Sequence, residues 1–94
     1  MAWADFKTCM GDAGERLEEA GESAVKGLLS LWKALPLDVR AFVIAAGRYG
    51  ATYVAAALAA AGVEAADAIA AIAVGFGVGY FFAALVDCGN QHLT

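Results

Sequence analysis

Charge is scarce in this chain. Of 94 residues, 17% are charged and 62% are hydrophobic, against roughly 25% and 45–50% in an ordinary soluble domain. Scarce charge combined with high hydrophobicity excludes intrinsic disorder. The length excludes a large multidomain enzyme. Proline and histidine occur once each, and cysteine twice. A single histidine with no nucleophile motif beside it makes no catalytic constellation, so no enzyme activity is expected. Cys9 and Cys88 belong to no CxxC pair or zinc-type cluster. Cys88 and His92, four residues apart, are two ligands where a structural zinc needs four, so no metal is expected. Basic residues stop at Arg48: Lys7, Arg16, Lys26, Lys33, Arg40 and Arg48 all lie in the first half. With a net charge of −4, the chain lacks the basic clusters that direct nucleic-acid binding requires. The N-terminus has no basic stretch leading into an apolar one, so it does not read as a secretory signal.

What is present is helical periodicity. From Asp12 to Leu35, apolar residues recur three and four apart at Leu17, Gly21, Ala24, Leu28, Leu31 or Trp32, and Leu35. This is the stripe of an amphipathic helix. Its acids come early and its lysines late, which suits the helix dipole, and Glu22 with Lys26 makes an i,i+4 pair. Pro36 predicts a break or kink there, because Leu35 ahead of it is pushed out of helical angles. The segment 37–61 is Ala-rich and roughly 37 Å long as a helix, enough to cross a bilayer with some tilt. Gly62 reads as a helix C-cap, with Glu64 and Asp67 in the first turn of the following helix. From Ala68 to Val86 there is no charge at all, which meets the length criterion for a membrane span. The alternating Gly75, Gly77 and Gly79 read as a bend in that helix rather than as a strand, because a lone strand cannot satisfy its backbone in lipid.

The expected fold is therefore all-α and a single domain over 1–94. It comprises an N-terminal segment (1–11), an amphipathic helix (12–35), a kink at Pro36, an antiparallel hairpin of two long apolar helices (37–61 and 63–87) and a polar tail (88–94). The composition argues against a soluble monomer, since there is too little polar surface to cover so small a body. Two rows of small residues at four-residue spacing would let helices pack closely: Gly47, Ala51, Ala55 and Ala59, and Ala71, Gly75, Gly79 and Ala83. Tyr49, Tyr53, Tyr80, Phe81 and Phe82 suit either subunit contacts or plain packing. Arg48 has two open readings: a group lining a lumen or holding a lipid phosphate or acidic partner, or a side chain snorkelling to an interface. In this hairpin Cys9 lies a whole helix away from the level of Cys88, too far for a bond within one chain. A disulfide between stacked subunits stays open.

An amphipathic first helix, a proline break and two apolar helices in a hairpin together resemble the pilins of conjugation and type IV secretion systems. The resemblance is architectural and covers Asp12 to Val86; the acidic turn at Glu64 and Asp67 departs from the basic turn more usual in those pilins. It implies a membrane-embedded precursor that assembles with its own copies into a helical filament, with phospholipid as the one bound group. Two alternatives share the hairpin: a pore-forming homo-oligomer of holin or bacteriocin type, and a small accessory subunit of a membrane complex. By the positive-inside rule the inserted form places both termini in the cytoplasm; after assembly the filament is extracellular.

Overall fold

Proline and glycine decide where this chain bends. A computed structural model describes residues 2–93, and they fold into seven α-helices and one 3-10 turn with no strand. In order these are α1 (Ala2–Met10), α2 (Asp12–Ala20), α3 (Glu22–Ala34), α4 (Leu37–Ala46), the 3-10 turn (Gly47–Tyr49), α5 (Ala51–Ala60), α6 (Ala66–Phe76) and α7 (Val78–His92). Leu35 is extended, with φ −69° and ψ 141°, and Pro36 opens α4. The pre-proline clash and the fixed proline φ account for both.

The long helices expected from periodicity are each cut in two. Gly21 (φ 93°) splits 12–35, Gly50 (φ 109°) splits 37–61, and Gly77 (φ 88°) splits 63–87. A side chain would be strained at these angles, and glycine is not. At Gly77 the axes of α6 and α7 bend by 107°. No single helix among the described residues is long and apolar enough to cross a membrane; α6 and α7 reach that length and composition only together, across this bend. Both ends of the described chain are helical as well. The segment 1–11 carries α1, which buries Phe6 completely, and the presumed polar tail continues α7 to His92. Met1 and Thr94, the two ends of those segments, lie outside the described residues.

The turn between α5 and α6 is a paired C-cap. Gly62 N–H donates to the Ala59 carbonyl (3.0 Å) and Val63 N–H to that of Leu58 (3.0 Å), the pattern by which a left-handed glycine satisfies a helix end. Glu64 falls in the turn itself, and Asp67 sits in the first turn of α6. The connection brings α5 and α6 side by side, while α2 covers α6 and α7 is flanked by α1, α3, α4 and α6. The hairpin is thus two short helices rather than two long ones.

Cutting the helices lets each turn its own apolar side inward. Leu17, Val25, Leu28, Val54, Leu58, Ile69, Phe81, Phe82 and Leu85 are all buried, each such side chain stabilising by about 1.5–3 kcal/mol relative to exposure. Trp32 stacks on Phe82 with ring centroids 3.8 Å apart. Gly14 is buried where α2 crosses α1, and a Cβ there would run into the Lys7 backbone. The accessible surface is 5125 Å², close to the roughly 5,100 Å² expected of a folded monomer of this mass. Folding back on itself is how the chain hides apolar surface that long helices would have left bare.

The same folding-back overturns the geometric argument about the cysteines. The breaks at Gly11, Gly21 and Pro36 return α1 to the flank of α7, and Cys9 and Cys88 form a disulfide within the chain, with Cα atoms 5.8 Å apart. Neither thiol is left for a bond between subunits. The bond closes a loop across 79 residues, for which chain entropy gives about 4.5 kcal/mol of stabilisation. Replacing both cysteines by serine should lower the unfolding free energy by about that amount, measured by urea titration of the oxidised protein beside the variant.

Candidate association surface

The outer sides of α4 and α5 carry the same spacing of residues. On α4, Phe42, Ala45 and Ala46 fall at i, i+3 and i+4, and Tyr49 of the 3-10 turn follows at i+7. On α5, Tyr53, Ala56, Ala57 and Ala60 repeat it. Positions at this spacing share one face of a helix. Because Gly50 turns α5 back beside α4, the two faces form the walls of one groove of about 540 Å³. Alanines make its floor and aromatic rings its rim. Phe42 is 66% exposed, Tyr49 72% and Tyr53 60%. The two tyrosine rings lean together with centroids 5.6 Å apart. Large apolar side chains gathered in one exposed patch mark a contact surface more often than chance exposure does.

Arg48 stands on the turn between the two walls and is exposed. Every other lysine and arginine has a partner. Lys7 pairs with Glu18 (2.9 Å) and Lys26 with Glu22 (2.8 Å). Arg16 lies over the Phe76 ring, 5.8 Å from its centroid. Lys33 donates to Asn90 Oδ1 (2.8 Å), and Arg40 Nη2 donates to the Lys33 carbonyl (2.8 Å) at the end of α3. Arg48 makes no hydrogen bond or ion pair among the described residues.

The breaks redistribute the rows of small residues. Gly47 is half-buried beneath Val78, whose Cγ2 would stand 2.7 Å from an added Cβ. Ala51, Ala55 and Ala59 lie beyond Gly50 on α5; Ala55 is buried and Ala59 exposed. In the second row, Ala71 and Gly75 are exposed on α6, while Gly79 and Ala83 belong to α7 on the far side of the 107° bend. Gly79 faces Ile44, and Gly75 faces open space. Neither row is therefore one straight seam. Of the aromatics, Phe81 and Phe82 are core, and Tyr49, Tyr53 and Tyr80 are outside. Sequence reading missed the groove because it depends on the fold-back at Gly50. The repeated aromatic–x–x–Ala–Ala spacing was the available signal.

Cys88 is held in the disulfide, so it does not pair with His92 as a ligand. Among the described residues no group of three His, Cys, Asp or Glu is placed to hold a metal ion.

If the groove serves contacts rather than folding, its rim is dispensable for stability. Tyr49→Ser and Tyr53→Ser should each change the unfolding free energy by less than about 0.5 kcal/mol. Trp32→Ala, which empties the stack on Phe82, should cost about 3–5 kcal/mol in the same urea titration. No protein family, curated protein or solved structure matches the chain.

Proposed function

We propose that the chain is a structural subunit that assembles with copies of itself, pilin-like in forming a filament or tube, and that the face of α4, the 3-10 turn and α5 is part of its contact surface. The observation that carries this reading is the exposed groove with an alanine floor and an aromatic rim. Alanine leaves room for another helix to approach closely, and exposed aromatic rings supply contact area with little side-chain entropy to lose. The Cys9–Cys88 bond favours an oxidising compartment. That supports a site of action outside the cytosol for both chain ends, in place of the cytoplasmic side suggested by the charge distribution.

Sedimentation velocity and negative-stain electron microscopy of the oxidised protein test the proposal. Species that grow with concentration, ending in filaments, are expected. A single monomer boundary across the whole concentration range overturns it.

The bend at Gly77 favours a second reading, a pore-forming homo-oligomer, because straightening would join α6 and α7 into one apolar span. Gly77→Ala should promote that change. Alanine is strained by about 1–3 kcal/mol at the bent angles and favoured by about 1 kcal/mol in a continuous helix. Dye release from anionic vesicles should then rise in the variant; release no greater than that of the unmodified protein removes the pore reading.

A further inference from the structure

The groove has a counterpart on the same molecule. α7 buries Phe81, Phe82, Leu85, Cys88 and Gly89 against its neighbours. Its opposite side carries Tyr80, Ala83, Ala84 and Asp87, again at i, i+3, i+4 and i+7. Tyr80 is 76% exposed, Ala83 and Asp87 are exposed, and Ala84 is half-buried. This is the aromatic–x–x–Ala–Ala pattern of both groove walls, with an acid in the last place. The stripe rises about 10 Å along its helix, as does the wall from Phe42 to Tyr49. The charges are complementary. The groove's elements, residues 37–60, carry Asp38, Arg40 and Arg48, a net charge of +1, and residues 66–92 of α6 and α7 carry Asp67 and Asp87, a net charge of −2. Arg48 and Asp87 both lack a partner among the described residues.

We infer that the α4–α5 groove of one copy receives the α7 stripe of a second copy, with Arg48 and Asp87 as the charge pair that fixes its register. This rests on the self-assembly reading and names its interface. The mode is a helix laid into an apolar groove, with aromatic anchors at the rim. Small residues on both sides let the backbones approach, and opposite charges disfavour the wrong register. The two surfaces are different patches on different helices. Each copy that offers a stripe also keeps an empty groove, so the contact is head-to-tail and builds a ring or an open filament rather than a two-fold dimer.

Two variants separate the patches. Ala56→Trp fills the groove and leaves the stripe; Ala83→Glu spoils the stripe and leaves the groove. Both positions are exposed, and far-ultraviolet circular dichroism and thermal unfolding check that each variant keeps its fold. Each alone should sediment as a monomer. Mixed one to one, they should form a heterodimer that grows no further, because one good stripe meets one good groove and the remaining patches are dead. Arg48→Asp and Asp87→Arg should each weaken assembly about tenfold, and the double charge reversal should restore it. These exposed substitutions keep the test decisive if a bulky variant misfolds.

Closed dimers of the Ala83→Glu variant alone would mean that groove meets groove, and would overturn the inference while leaving self-assembly intact. So would unimpaired assembly of both single variants, or failure of the double reversal to recover. Assembly of the unmodified protein only in the presence of phosphatidylglycerol vesicles would overturn it in favour of lipid in the groove. A unmodified protein that stays monomeric with and without vesicles would overturn the self-assembly reading itself.

Discussion

The bond between Cys9 and Cys88 ties the first helix to the last, and the arrangement of the others depends on where that tie holds α7. α7 lies against α1, α3, α4 and α6. Its buried face supplies Phe81, Phe82 and Leu85 to the core, and Phe82 receives the stack from Trp32. Beside the tie, α1 is held by Phe6, the Trp3 ring stacked beside it, Met10, the close crossing of α2 at Gly14 and the Lys7–Glu18 pair. Exposed ion pairs contribute at most about 1 kcal/mol. A nine-residue helix is too short to persist by itself. The covalent link adds a fixed anchor to these contacts.

The all-α class was legible because alanine-rich, helix-period segments admit no other regular structure. The break at Pro36 was legible because proline acts through local sterics. Helix length was not. Gly21, Gly50 and Gly77 are each tolerable within a helix at a cost of about 1 kcal/mol, and whether they bend is decided by what the bend buries. Sequence periodicity continues across all three, so a local reading sees one helix where tertiary packing makes two. The error about the cysteines followed directly. A straight helix from Asp12 to Leu35 would have held Cys9 far from Cys88, and Gly21 removes that straightness.

The composition takes on a different meaning once the breaks are placed. In short helices the apolar residues of the long expected ones fill the chain's own core, and the accessible surface is ordinary for the mass. Among large apolar side chains, Leu37, Phe42, Ile44, Tyr49, Tyr53, Phe76 and Tyr80 remain exposed while the neighbouring Val43, Val54 and Phe81 are buried. Alternate sides of the same helices thus differ, one closing the fold and the other leaving rings, aliphatic side chains and alanines exposed.

The disulfide also has a mechanical consequence. It joins positions close to the two ends of the chain, so tension applied between the termini passes through one covalent bridge and bypasses the segment from Met10 to Asp87. Helices α2 to α6 and most of α7 lie within the covalent ring closed at Cys9 and Cys88. Pulled end to end, this chain would transmit load through sulfur while its packed interior stayed slack.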